Sequence, residues 1–153
     1  MLDMFRYNWQ VRQDWFKWCK EIPHEELIKE RTGGMGSILA TLFHVANGEQ
    51  IWVNQMKGTP VIIKQGVSSL KEAMEFTAIT QPITEGFLQS WNEEKAKQTL
   101  TKRRRDGGDY VLTYEKIIKH LMAHEIHHIG QLSIWAREIG RKPVSSDLIF
   151  RDY

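Results

Sequence analysis

The feature that constrains this chain most is its last long periodic stretch, Tyr114 to Ile139. It contains no proline and a single glycine. At about 100° per residue, Ile117, Leu121, Leu132, Trp135 and Ile139 fall on one stripe, as expected of a helix that buries one side against other helices. Glycine and proline at Gly140 and Pro143 stop it. Three earlier segments carry the same periodicity. Met4 to Ile22 places Phe5, Trp9, Phe16, Cys19 and Ile22 mostly at three- and four-residue steps, with Arg12, Lys17 and Lys20 between them, and ends near Pro23. A second helix opens at the cap Ser37, carries Ile38, Leu42, Val45, Glu49, Trp52, Val53 and Met56, and breaks at Gly58 and Pro60. A third opens at Ser69, four residues of which, Ser69 to Glu72, have capping-box spacing, and runs to about Ala96 with a kink expected at Pro82.

The connections differ in kind. His24 to Gly36 reads as a loop with a short turn at Glu25 to Lys29 and a glycine-rich end. Val61-Ile62-Ile63 is strand-like but has no partner, so it belongs to the long connection after the second helix. Thr99 to Thr101 and Tyr110 to Leu112 flank Asp106-Gly-Gly-Asp109, which predicts a hairpin. The expected fold is all-α: a four-helix bundle with a small β-hairpin before the last long helix, in one domain over residues 1–153. Apolar residues in the tail from Ser145 to Tyr153 predict that it docks back on the bundle.

Composition narrows the function classes. A length of 153 residues leaves no room for a two-lobed kinase or a β/α barrel. A net charge of +2, from 21 basic and 19 acidic side chains, argues against a polyanion partner. The basic run Lys102 to Arg105 is followed directly by acidic residues at a hairpin tip and reads as a solvated turn, so nucleic acid is not an expected partner. No stretch approaches the roughly 20 apolar residues of a membrane span. One cysteine and no secretory signal pattern give a cytoplasmic expectation. Cys19, among Trp15, Phe16 and Trp18, reads as a small core residue rather than a nucleophile.

The chemistry concentrates in the histidines, four of which fall between His120 and His128. His124 and His128 lie inside the apolar stripe, whereas His120 and His127 project to its margin. Two imidazoles at i and i+4 stand one turn apart and can reach one metal ion at about 2.0–2.1 Å. His44, mid-helix among Leu42, Phe43, Val45 and Ala46, is the candidate third ligand from a facing helix. Three neutral histidines leave coordination positions open for water or substrate, the arrangement of a catalytic rather than a closed structural site. His124-Glu125-Ile126-His127-His128 also matches the H-E-x-x-H helix of zinc proteases, but its extended form fails because Gln131 stands where a glycine is required.

Taken together, Tyr7-Asn8-Trp9, the run Ser37 to His44 with Glu49 and Trp52, and the run His124 to Leu132 resemble the DinB superfamily of four-helix-bundle metalloproteins. The resemblance covers nearly the whole chain, and the His-x-x-x-His-x-Gly-Gln run with its upstream histidine is its most specific part. It implies a divalent ion, zinc, nickel or iron, on His44, His124 and His128, a long crossover after the second helix, and a homodimer. It further implies a small-molecule substrate and activation of either a low-molecular-weight thiol for S-transfer or a water for hydrolysis. In this reading Glu49 and Glu125 orient the imidazoles or relay protons, and Gln131 hydrogen-bonds a group behind the ligands or helps order the helix.

Overall fold

A computed structural model describes residues 1–104 and 106–153. In chain order the elements are α1 (Leu2–Cys19), α2 (His24–Ile28), α3 (Ile38–Lys57), α4 (Leu70–Gln89), α5 (Glu93–Lys97), strands β1 (Thr99–Arg103) and β2 (Asp109–Thr113), and α6 (Tyr114–Glu138), followed by a 3-10 turn over Leu148–Phe150. The four long helices α1, α3, α4 and α6 form the bundle, and α2 and α5 are single-turn pieces within its connections.

Helix direction follows from which residues meet. At one end Phe5 of α1, Met56 of α3, Phe87 of α4 and Ile117 of α6 share a cluster; at the other, Cys19, Leu39, Ala73 and Trp135 do. So α3 and α4 run parallel to each other and antiparallel to α1 and α6. Parallel neighbours need a return path, which residues 58–69 supply as an extended strap along α3. Gln50 clamps this strap from both sides: its amide donates to the Ile62 carbonyl at 3.0 Å and its carbonyl accepts from the Ile62 N–H at 3.2 Å. The crossover is therefore present, and the strand-like Val61-Ile62-Ile63 is the part held by a buried glutamine.

Local rules account for most boundaries. Ser37 accepts from the Ala40 N–H and Ser69 from the Glu72 N–H, the expected caps of α3 and α4. Glu72 reaches back to the Ser68 N–H, one residue before the position a reciprocal capping box uses. Gly58, at φ +68, ends α3 in the left-handed conformation that glycine adopts at little cost. The third long helix stops at Gln89 rather than Ala96. Ser90 turns its hydroxyl onto the Phe87 carbonyl, and Asn92 caps a separate turn through the Lys95 N–H, so local side-chain bonds compete with helix continuation. Pro82 lies inside α4 on its exposed face, where water can reach the carbonyl it leaves without a donor.

The hairpin pairs Thr99 with Thr113 through Arg103 with Asp109, longer at its tip than the sequence signal. Thr113 then caps α6, and the Tyr114 hydroxyl donates to the Met56 carbonyl at 2.7 Å, tying the start of α6 to the end of α3. The tail does return to α1, by polar contacts and by the Tyr153 ring set edge-on to Tyr7, 6.1 Å between centroids. The Tyr7 hydroxyl donates to the Ser146 carbonyl, the Trp18 indole to the Lys142 carbonyl, and Arg151 pairs with Asp14 at 3.0 Å. Of the tail's apolar residues Tyr153 docks on the bundle as expected, whereas Ile149 and Phe150 stay more than 80% exposed. Among the described residues no helix is long and apolar enough to cross a membrane.

Candidate metal centre

At the waist of the bundle, between the two end clusters and beside a smaller apolar one of Phe43, Ala46 and Phe76, lie polar groups that α3 and α6 mostly supply. His44 stands midway along α3, and His124 and His128 face it from α6. The Nε2 atoms of His44 and His124 are 3.0 Å apart, and those of His124 and His128 are 3.1 Å apart. One nitrogen from each ring lies within 4.8 Å of the others, and the group could hold a metal ion. The geometry brings together the trio that helical spacing singled out.

Two further observations favour an ion over a hydrogen-bonded trio. First, the Gln131 carbonyl oxygen lies 2.7 Å from His128 Nδ1 and its amide nitrogen 3.1 Å from His127 Nε2. In this amide orientation the carbonyl accepts from Nδ1–H, so His128 turns an unprotonated Nε2 toward His124. With that tautomer, at most one of the two Nε2 contacts can carry a proper N–H donor, whereas a shared cation satisfies both. Tetrahedral ligation at about 2.0–2.1 Å separates donor nitrogens by roughly 3.3–3.4 Å, a little wider than the two Nε2 separations of 3.0 and 3.1 Å. Second, all three rings are held below the usual imidazole range. His124 is pushed down to about 4, first by burial and then by the charges of its histidine neighbours. Burial is also the main cause for His44 and His128, with the Gln131 bond pulling His128 partly back. Neutral imidazole is the form that ligates.

Gln131 is itself positioned by the glycine loop. Gly34, at φ +53, packs so closely that a Cβ there would lie 2.6 Å from the Gln131 carbonyl oxygen and 3.0 Å from Trp135. The glycine-rich end of the first connection is thus the wall that holds the glutamine against His128. The remaining histidines stay outside the trio: His24 is exposed at the start of α2, His127 is exposed beyond Gln131, and His120 is exposed with its ring centroid 5.5 Å from that of His124.

Glu49 and Glu125 behave differently from the expectation that they orient imidazoles. Both are buried, and their hydrogen bonds go to α1. Arg12 donates from Nε and Nη2 to the two oxygens of Glu125, each at 2.8 Å, and from Nη2 to Glu49 at 2.6 Å; the Trp9 indole adds a bond to Glu49 at 3.2 Å. Glu125 therefore points into an ion-pair cluster, which also removes it as the general base of the H-E-x-x-H reading. Burial raises the Glu125 carboxyl while Arg12 opposes the shift, and the two carboxylates hold Arg12 protonated against the cost of burying it. Arg12, read from the sequence as a polar-face residue, is 1% exposed. The available signal was its register: it lies three residues after Trp9, three before Trp15 and four before Phe16, within the apolar stripe.

Cys19 is buried, and burial pushes its thiol up to about 12, so it is an inert core residue. The basic run is largely spent locally: Lys102 lies over the Trp52 ring at 5.3 Å and Arg104 pairs with Asp106 at 3.2 Å, while Arg105 lies outside the described residues.

Comparisons with known proteins bear on the family and the fold. The chain is 38% identical over 153 residues to the uncharacterized protein YizA of Bacillus subtilis (strain 168), a match covering 99% of this chain and 95% of that protein. Its fold resembles the crystal structure of a DinB-like protein from Bacillus cereus ATCC 10987, with a TM-score of 0.72, 15% identity, and coverage of 94% of this chain and 93% of the other. The family model of the DinB family matches residues 1–153, and the chain belongs to that family.

Proposed function

We propose that this protein is a metal-dependent enzyme in which His44, His124 and His128 hold one divalent ion, and that its reaction transfers a small thiol to an electrophilic carbon. The observation that carries the reading is the convergence of three neutral imidazole nitrogens at a half-open position of the bundle waist. A divalent ion bound there, zinc, nickel or iron, would supply Lewis acidity and lower the pKa of a thiol or water admitted beside it. Neutral ligands leave the ion's charge uncompensated, which favours an anionic sulfur.

The chain's own residues then have distinct tasks. Gln131 fixes the His128 tautomer, and Gly34 fixes Gln131. His120, exposed beside His124, is placed to pass the thiol proton to solvent. The sulfur lone pair forms the new S–C bond, and the leaving group departs from that carbon with its electron pair. Cys19 supplies no sulfur, so the thiol comes from a diffusible co-substrate; such a reaction suits a reducing cytoplasm.

The test is metal analysis of untagged protein, followed by conjugation assays with a panel of small thiols and alkylating electrophiles and by ester and amide hydrolysis assays. One ion per chain and metal-dependent thioether formation are expected. Metal-dependent hydrolysis without conjugation would move the assignment to water activation at the same trio. An ion that raises Tm while neither reaction occurs would make the site structural. We also assign a homodimer to the working protein; support comes from Ile126, Gly130 and Ile134, an exposed apolar and small-residue line on α6. Sedimentation equilibrium should return twice the 18.0 kDa chain mass, and Ile134→Glu should return one.

A further inference from the structure

A cavity of about 260 Å³ lies between the hairpin and the hairpin end of the helix pair that carries the histidines. Trp52, Tyr110, Leu112 and Ile117 form its walls, with Lys116 at its edge and His120 toward the trio. Its position follows from helix register. Trp52 lies eight residues beyond His44 on α3, and Ile117 lies seven before His124 on α6, so the cavity sits about 10–12 Å along the bundle from the trio. His120 belongs to both places, lining the cavity while its ring stands 5.5 Å from His124.

Resting on the function proposed above, we infer that this cavity is the substrate's apolar subsite and takes an aromatic group whose reacting end extends past His120 to the three histidines. Three observations carry the choice of ligand. The walls are two aromatic faces and two aliphatic side chains, the usual lining of a pocket for a ring. An apolar cavity of about 150 Å³ suffices for benzene, so this one accommodates a substituted or fused ring. Lys102 over the Trp52 indole and Lys116 at the edge add positive charge, which favours a ring bearing an anionic substituent. The hairpin thereby acquires a role that the bundle alone does not require, since β2 contributes Tyr110 and Leu112 to a wall that the helices leave open.

The test has two arms. In the first, naphthalene-2-sulfonate is titrated into the protein without added metal and followed through the tryptophan indole N–H resonances. Saturable binding is expected, weakened about tenfold in Leu112→Trp, which fills the cavity, and in Trp52→Ala, which removes one face. Circular dichroism and Tm check that each variant is folded. Absence of saturable binding, or affinity equal to the parent's in both folded variants, overturns the subsite. In the second arm, cobalt(II)-loaded protein is titrated with 3-phenylpropane-1-thiol and with propane-1-thiol, and the visible sulfur-to-cobalt band is read. The phenyl group is expected to tighten binding about tenfold in the parent and not in Leu112→Trp. Equal affinities for the two thiols overturn the link between cavity and trio. If cobalt does not bind at all, the metal reading fails, while the first arm still decides whether the cavity takes a ring.

Discussion

The waist of the bundle holds two polar clusters that share α3 and α6, one of them adding Arg12 from α1, and they answer the problem of buried polar groups in opposite ways. Arg12, Glu49 and Glu125 bring both signs, so the guanidinium meets both carboxylates within hydrogen-bonding distance in the interior, with Arg12 Nη1 and Glu49 Oε1 left over. His44, His124 and His128 bring neutral rings only, His128 buried and the other two half-buried, and none can fully satisfy the others. Burial of opposite charges against one another makes a structural joint between α1, α3 and α6. Burial of an incomplete donor set makes a place for something the chain does not contain. Acidic residues next to histidines in sequence thus belong to a different device from the histidines themselves.

The largest effect that would sharpen this contrast is on stability. Arg12→Met leaves two buried carboxylates without their cation and should cost about 3–5 kcal/mol in urea unfolding. Adding Glu49→Leu and Glu125→Leu should recover most of that loss, because the triple variant has no charge left to bury. A cost under about 1 kcal/mol for Arg12→Met would erase the distinction drawn between the clusters.

Next is the loss of an ion ligand. His124→Ala should lower metal affinity by a hundredfold or more, on the order expected for removing a direct ligand rather than a supporting group, with helicity by circular dichroism unchanged. Acid offers a second probe of the same ring. His124 titrates near 4 when folded against 6.5 when unfolded, so the unfolded chain binds the extra proton first. Its contribution to the stability of the metal-free protein is therefore present above about pH 6.5 and is lost as the pH falls toward 4. The parent's Tm should drop across that window more steeply than that of His124→Ala.

Smaller effects are expected from the supporting groups. Gln131→Leu should weaken metal binding about 10- to 100-fold by releasing the His128 tautomer. Gly34→Ala, which pushes on Gln131 and also strains a backbone at φ +53, should have a milder effect on the same equilibrium dialysis measurement. If Gly34→Ala instead exceeds Gln131→Leu, the glycine loop contributes to the centre by a route other than the glutamine.

The four long helices and the hairpin were legible because each depends on near neighbours in the chain: periodic apolar residues, caps at Ser37 and Ser69, and Gly-Gly at a turn; the crossover came with the family resemblance. The histidine trio was legible for a related reason. Once α6 is helical, His124 and His128 must share a face, and a lone histidine amid the apolar residues of α3 is the evident partner. The failures have a common cause too. Where α4 ends was decided by Ser90 and Asn92 bonding to nearby backbone, a small local preference that periodicity does not register. The tail's return by polar contacts was invisible because its partners lie on α1, far away in sequence.

By itself, then, the sequence determined which segments are helical, which faces they bury, and which three imidazoles can converge, since these follow from backbone periodicity and side-chain hydrophobicity within a few turns. Only the tertiary structure decided that Arg12 is interior, that the two glutamates serve it rather than the histidines, that Gly34 supports Gln131, and that the hairpin closes a cavity beside the site. Those four outcomes depend on contacts between residues of different elements. A buried guanidinium costs too much to predict from one helix alone and becomes favourable only when two other helices deliver its carboxylates.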